Sequence, residues 1–350
     1  MHIKRKIPLL ISIISTLFYF SSVKAEIKVV TSIKPIHSLV SYIMDGVGSP
    51  DLIVDGYNSP HGFSLKPSHA KMLQEADIVI YVGEGVEEFL EKPLESIASN
   101  AVKFELLGQS GIKKLKFRER NIFGDHDDHD DHGHGKKKKD HDDHDDHDKK
   151  AKKEDHDDHD DHDHDKKAKK DDHDDHGHDD HGHGEFDPHI WLDPMNAKII
   201  VKKVTNQLSK LDKENSSIYK SNSKKALKEL DQMIKEVKSD VNKDAKVVVF
   251  HDAYQYFEKR FKVNIIGALT VNTDVLPGAE QLSEIREVIE HEKATCVLSE
   301  PQFNPDIVET IAKDTNISSG VLDPLGATLD SGKTLYFDLI KNISLSIKNC

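Results

Sequence analysis

The chain has 350 residues, of which 36% are hydrophobic and 32% are charged, and its formal net charge is −14. Almost all of this charge lies in residues 125–184, where 24 aspartates, one glutamate and 12 lysines give a local net charge of −13. The remainder is close to neutral, which excludes the basic surface expected of a nucleic-acid-binding protein.

The N-terminus has the pattern of a secretory signal peptide. Three basic residues at positions 4–6 precede an apolar run over 7–20, and Val23-Lys24-Ala25 offers a cleavage site. The alternative is a membrane anchor, but the run is shorter than the ~20 residues that a span needs. We therefore predict removal of residues 1–25 and export of the mature chain. No cysteine follows the run, so no lipid anchor is expected.

The first half of the mature chain alternates between short apolar runs and helical patterns. The predicted strands cover residues 27–31, 52–54 and 77–82, and the predicted helices cover 35–44, 68–75 and 86–98. Pro35 near a helix start and Ser68 as an N-cap are favourable, whereas Pro93 is a potential interruption of the third helix.

A tract between Asp125 and Gly184 contains 16 of the 23 histidines, in a repeat of His, Asp, Lys and Gly. Imidazole and carboxylate groups are ligands for divalent metal ions. The tract has almost no apolar side chains, so it cannot bury enough surface to offset the entropy of ordering. We predict a disordered surface loop, acting as a metal scavenger, as a sensor, or merely as a solvated spacer.

The second half alternates again. Helical patterns cover 195–211 and 214–241, and they are followed by strands at 246–250, 263–269, 296–299 and 320–322 and by helices at 254–261, 281–293, 304–315 and 334–348. This alternation predicts an α/β fold of two lobes with largely parallel sheets. Ligands of such sheets bind beyond the carboxyl ends of the strands, so a cleft between the lobes is the expected site.

Four chemically capable side chains stand in loops or at the ends of predicted strands. His61 follows the second strand, His189 lies in the DPHIWLDP segment, His251 ends the VVVF strand and Asp323 follows the VL strand. Three imidazoles and one carboxylate would suit tetrahedral zinc. Each also has a plainer interpretation: a loop histidine, a core residue beside Trp191, a helix cap and a turn aspartate.

The only two cysteines are Cys296 and Cys350. In an exported chain such a pair predicts a disulfide. It would close a loop of about 55 residues and stabilise the fold by ~4 kcal/mol in the chain-entropy model. Two free thiols are the alternative.

The segments NSPHGFSLKPSHA, DPHIWLDPMNA, FHDAYQYFEKRF and LDPLGAT resemble, in order and spacing, the motifs of the zinc-specific solute-binding proteins of bacterial ABC zinc importers. The resemblance covers 26–350. It implies a zinc site of His61, His189 and His251 with Asp323 in the acidic position, and a disulfide between Cys296 and Cys350. It also implies two pseudo-symmetric lobes joined by one long helix.

The resemblance gives the predicted organisation its boundaries. We expect a signal peptide over 1–25, an N-terminal lobe over 26–211 that contains the tract, a linker helix over 212–241 and a C-terminal lobe over 242–350. The protein would act in the periplasm as a monomer without a nucleic-acid partner, capturing zinc (Zn²⁺) and delivering it to an ABC membrane permease.

Two departures concern the ligands. Related manganese-binding members carry Glu where His251 stands, and a third imidazole favours zinc. Some zinc members have Glu where this chain has Pro60. The fourth ligand therefore stays open between Asp323, a water molecule and a histidine of the tract. The remaining histidines, His37, His69 and His291, are expected on the surface.

Four other functions compete with zinc delivery: zinc storage, transport of another metal, catalysis and adhesion. The tract alone would support periplasmic zinc storage, and the cleft could serve manganese or another divalent ion. Three histidines with an open position also resemble a catalytic zinc centre, but no His-Glu-x-x-His motif occurs, so we predict no enzyme. An adhesin role is a further alternative that no residue requires.

Overall fold

The computed structural model describes residues 26–118, 120–123, 185–271, 273 and 277–350. The predicted signal peptide and the whole acidic histidine tract lie outside these ranges. Among the helices in these ranges, none combines the length and the apolar character needed to cross a membrane.

The first sheet forms from the alternating elements before the tract. Its first strand, VVTSI, is buried at every position, as expected for a parallel strand covered on both faces. The four strands are parallel, in the order β2-β1-β3-β4. The elements are β1 (Val29–Ile33), α1 (Lys34–Met44), β2 (Asp51–Val54), α2 (Pro67–Glu75), β3 (Ile78–Tyr81), α3 (Glu91–Ser96) and β4 (Val102–Glu105).

The second sheet repeats the first. Its strands are also parallel, in the order β6-β5-β7-β8, so each sheet places its strands in the order second, first, third, fourth. The predicted α/β fold with two pseudo-symmetric lobes is confirmed. The elements are α4 (Pro194–Leu211), α5 (Ser216–Asp240), β5 (Lys246–His251), α6 (Gln255–Phe261), β6 (Asn264–Thr270), α7 (Ala279–Glu292), β7 (Cys296–Ser299), α8 (Asp306–Thr315), β8 (Ser318–Val321) and α9 (Leu335–Lys348).

The long helix expected between the lobes is α5, with 25 residues. Its buried side includes Tyr219, Ala226, Leu230 and Met233, spaced as an amphipathic helix requires. It packs against α1, α4 and α9, and α9 also packs against α1. The last helix of the chain thus contacts elements of the first half, and the exact lobe boundaries stay a prediction.

Two elements differ from expectation. The helix predicted over 86–98 is a short 3-10 helix (Glu88–Leu90) followed by α3. Pro93 is the third residue of α3, inside the first turn, where a helix does not need the missing N–H. Strand β4 was not predicted, because its VKFE sequence is only partly buried and lacks a continuous apolar run.

The two sides of the tract are joined to the folded body. Before it, Ile122 forms an antiparallel bridge with Gly267 of β6, and the backbone N–H of Phe123 donates to the carbonyl of Ile266 over 3.0 Å. Nearer the lobes, Lys116 forms an antiparallel bridge with Phe186 on the other side of the tract. The described chain therefore enters and leaves the tract from a paired stem.

The predicted disulfide between Cys296 and Cys350 is present, with the two Cα atoms 5.6 Å apart, and the alternative of free thiols is wrong. It ties the end of the chain to the start of β7. This is the amino end of that strand, whereas the inter-lobe cleft lies beyond its carboxyl end.

Candidate metal centre

Three of the four predicted site residues come together between the lobes. One ring nitrogen from each of His61, His189 and His251 lies within 4.8 Å of the others. The Nε2 atoms of His189 and His251 are 3.4 Å apart. His189 and His251 are buried, at 4% and 5% exposure, and His61 is partly buried.

Each histidine is held by a different kind of element. His251 is the last residue of β5, a central strand of its sheet. His189 directly precedes a 3-10 helix (Ile190–Leu192), where the Trp191 indole N–H donates to the carbonyl of Pro324 over 2.8 Å. His61 lies in the turn region after β2 and is followed by Gly62 at φ 68°, a left-handed conformation that glycine adopts without strain.

Two buried carboxylates hold the ring of His189 and the ring of His251. The Asp187 Oδ1 atom lies 2.8 Å from Nδ1 of His189 and also accepts the backbone N–H of that histidine. The Glu300 Oε1 atom lies 2.6 Å from Nδ1 of His251. Glu300 follows β7, which pairs with β5, and so reaches His251 at the neighbouring strand end. In both rings Nε2 is left to face the cleft.

Burial and charge move the pKa values of these groups in different directions. Burial, and then the charge of His251, lowers the pKa of His189 well below its usual value. Burial also opposes protonation of His251, but the charge and hydrogen bond of Glu300 outweigh it, so the pKa of His251 is raised. Burial raises the pKa of Asp187 to about 7. Burial therefore favours the neutral forms of both Asp187 and His189.

A third buried carboxylate, Asp252, stands beside His251 with 6% exposure. Its Oδ1 atom accepts a hydrogen bond from the Arg118 guanidinium over 2.9 Å, and Arg118 also pairs with Glu258. Burial raises the pKa of Asp252 to about 6, although Arg118 opposes the shift. Arg118 belongs to the stem before the tract, so this ion pair links the stem to the strand end that carries His251.

Asp323 is not part of the three-histidine group. Its Oδ1 accepts the backbone N–H groups of Leu325 (3.0 Å) and Gly326 (2.9 Å), and its Oδ2 accepts that of Ala327 (2.6 Å). Gln302 donates to Oδ1 as well, over 3.2 Å. The carboxylate thus organises its own turn, as aspartate often does. Its role as a metal ligand stays a prediction.

The other histidines correct one expectation. His69 is buried, not on the surface, because its ring stacks on Phe63 and its Nδ1 accepts the backbone N–H of Lys66 at the start of α2. His37 is partly buried, with Nε2 at 3.1 Å from the carbonyl of Pro50. His291 is exposed. Sequence reasoning missed Asp187 and Glu300; the only signal for Asp187 was its place two residues before His189.

Two parallel α/β lobes that direct three imidazoles into one cleft define a solute-binding protein for a metal ion rather than for an organic molecule. The model of one protein family, described as zinc-uptake complex component A, periplasmic, matches residues 29–350. The chain belongs to this family of transport proteins.

Individual proteins agree with the family. The chain is 43% identical over 324 residues to the high-affinity zinc uptake system protein ZnuA of Brucella abortus (strain 2308), covering 92% of this chain and 91% of the relative. It is 36% identical over 342 residues to the protein of the same name from Haemophilus influenzae, covering 97% of each.

Solved structures share the fold. A crystal structure of ZnuA superposes with a TM-score of 0.68 at 20% identity, covering 93% of this chain and 99% of that chain. The Mn²⁺ complex of the solute-binding protein FpvC from Pseudomonas aeruginosa gives a TM-score of 0.68 at 16% identity, with 93% and 98% covered. The same fold therefore occurs in a manganese complex, and ligand chemistry has to decide which metal fits here.

Proposed function

We propose that this chain captures one zinc ion in the periplasm with His61, His189 and His251 and delivers it to an ABC membrane permease. The observation that carries the proposal is the convergence of three imidazole nitrogens within 4.8 Å between the lobes. The relatives named as zinc uptake proteins support the same cargo.

The spacing of the two buried rings fits zinc coordination. Nitrogens bound to one tetrahedral zinc ion at ~2.0–2.1 Å lie ~3.3 Å apart. The Nε2 atoms of His189 and His251 are 3.4 Å apart. Three imidazoles form a softer ligand set than the carboxylate-rich sites suited to manganese, which makes zinc the preferred cargo.

The charge around the site favours a divalent cation. Asp187, Asp252 and Glu300 are buried carboxylates within or beside the histidine group, and Arg118 is the cation paired with Asp252. Burial raises the pKa of Asp187 to about 7 and that of Asp252 to about 6, and a bound ion of charge +2 would favour the ionised forms of both. Asp323 is the acidic candidate for a fourth ligand, but reaching the ion would break its backbone hydrogen bonds. A water molecule or a tract histidine competes for that position.

The delivery role also predicts the compartment, the oligomeric state and the role of the tract. Residues 1–25 direct the chain to the periplasm and are removed, and the mature chain works as a monomer. The tract acts beside the cleft as a zinc scavenger or sensor. The protein carries zinc and does not use it for catalysis, because its task is to bind the ion and release it to the permease.

The test is a zinc titration against a competing chelator. We would compare the mature chain lacking residues 125–184 with the same chain carrying His61→Ala, His189→Ala and His251→Ala. One tight site that disappears in the triple variant would support a cleft receptor. A loopless chain without a tight site would overturn it and favour zinc storage by the tract.

A further inference from the structure

Two carboxylates from different lobes hold their histidines by the same device. Asp187 Oδ1 receives both the backbone N–H and the ring Nδ1 of His189, over 2.9 and 2.8 Å. Glu300 Oε1 lies 3.4 Å from the backbone nitrogen and 2.6 Å from the ring Nδ1 of His251. Both carboxylates are almost completely buried, at 1% and 2% exposure.

This geometry determines which ring nitrogen carries the proton. An ionised carboxylate only accepts hydrogen bonds, so the ring nitrogen beside it has to donate. Asp187 Oδ1 and Glu300 Oε1 each lie beside the backbone nitrogen and the ring Nδ1 of one histidine. The neutral rings therefore carry hydrogen on Nδ1 and present the Nε2 lone pair.

We infer that Asp187 and Glu300 are positioning residues that hold His189 and His251 in the Nδ1–H tautomer, with both Nε2 lone pairs aimed at one point before metal arrives. The inference rests on the proposed zinc site and goes beyond it, because it assigns a role to two residues that do not touch the ion. Groups that orient a ligand in this way typically contribute 10–100-fold to metal affinity.

The tautomer is measured directly in the metal-free protein. Imidazole ¹⁵N chemical shifts would be recorded on the mature full-length chain at about pH 9, because the pKa of His251 is raised above the ordinary ~6.5, with His189→Ala and His251→Ala used to assign the two signals. Wild-type protein should show both rings as Nδ1–H. Glu300→Ala should release His251 to the Nε2–H form, and Glu300→Gln should keep Nδ1–H, since the amide oxygen still accepts.

Zinc affinity is then measured on the same variants by chelator competition. Glu300→Ala and Asp187→Ala should each lose ~10–100-fold, and Glu300→Gln should recover most of that loss. Asp193→Asn is the matched control, because Asp193 is equally buried but pairs with Arg260. It should leave both tautomers and the affinity unchanged.

Unchanged tautomers and affinity in Glu300→Ala and Asp187→Ala would overturn the inference, as would an equal effect of Asp193→Asn. If Glu300→Ala does not fold, Glu300→Met fills the same space without an acceptor and carries the test. Failure of the proposed zinc site gives a different result from failure of this inference. In that case wild-type protein would lack a tight zinc site that depends on His251, whichever tautomers the rings adopt.

Discussion

The two lobes repeat one sheet but do not repeat the site. Strand β1 is followed directly by Lys34, whereas β5, the corresponding strand, has His251 as its last residue. Lys34 is buried and its ammonium donates to the carbonyls of Leu329 (2.6 Å) and Ala327 (3.3 Å) in the other lobe. Equivalent strand ends thus serve different purposes: one fastens the lobes together and the other holds a candidate metal ligand.

The ligands differ as well. His251 is buried against Glu300, whereas His61 lies on a turn of the first half and is partly buried. The carboxyl edge of a parallel sheet offers several positions for side chains. The side chain at each position determines whether it binds the metal ion, joins the two lobes or stays accessible, and mutation can separate these roles.

The largest effect is expected from loss of a ligand. His61→Ala and His251→Ala should each lower zinc affinity by more than the ~100-fold typical of an outer group. Added imidazole should restore binding in His61→Ala, because that position is partly exposed, but not in His251→Ala, whose position is enclosed. Chelator competition with and without imidazole checks this. Equal rescue at both positions would show that burial does not separate the ligands.

The disulfide fastens the end of the chain to the start of β7. Replacing both Cys296 and Cys350 by Ser should lower the free energy of unfolding by about 4 kcal/mol. Zinc affinity should stay nearly constant, because Cys296 begins β7 and Glu300 follows its far end. Urea unfolding and chelator competition measure the two quantities. If zinc affinity falls as well, the disulfide also affects the geometry of the cleft.

The buried histidines of the site should respond differently to acid. The pKa of His251 is raised and that of His189 is lowered, so His251 is protonated first as the pH falls. Zinc has to displace this proton, and affinity should fall by up to about tenfold per pH unit below the raised pKa. Glu300→Gln removes the charge that raises the pKa and should move the fall to lower pH. Affinity that is flat from about pH 8 to 5 contradicts the assignment.

The same shift predicts a stability effect in the metal-free protein. A raised pKa in the folded state means that protonated His251 is stabilised by folding. This contribution is present in full below the unfolded pKa of ~6.5 and is lost as the pH rises through the folded value. Glu300→Gln should remove this dependence in unfolding measured across the same pH range.

The smallest effect concerns the edge of the second sheet. A Cβ atom at Gly267 would lie 2.9 Å from the backbone oxygen of Asn121, so Gly267→Ala should displace the paired segment and cost about 1 kcal/mol. Gly108→Ala is the control, because the added atom would meet only the Glu105 side chain, at 3.6 Å or more. Thermal unfolding compares them, and equal midpoints would show that the segment contributes little to stability.

Local pattern was enough to predict most of the fold. Apolar runs of three to seven residues, separated by amphipathic helices, predicted both lobes, and polar residues in loops and at strand ends led to His61, His189 and His251. Asp323 also follows a strand, but a second local signal acts there: an aspartate before Pro324 accepts the N–H groups of its own turn. Its role as a metal ligand stays a prediction.

The partners of the histidines were harder to predict. Glu300 reaches His251 only because β7 lies next to β5 in the sheet, and neighbours in a sheet need not be neighbours in the chain. Arg118 was missed for a similar reason, since its partner Asp252 is 134 positions away. Periodicity shows which elements form but not which elements are adjacent.

The paired stem allows the tract to change in length without disturbing the described residues on either side of it. Lys116 bridges to Phe186, and the N–H of Asp187 donates to the carbonyl of Leu115 over 2.8 Å, so the described residues on the two sides of the tract are held together. Lengthening a flexible loop costs only ~0.6 kcal/mol for each doubling. Histidine blocks can therefore be duplicated or deleted by recombination without rebuilding the receptor, and the proposed scavenging role of the tract can evolve separately from the cleft.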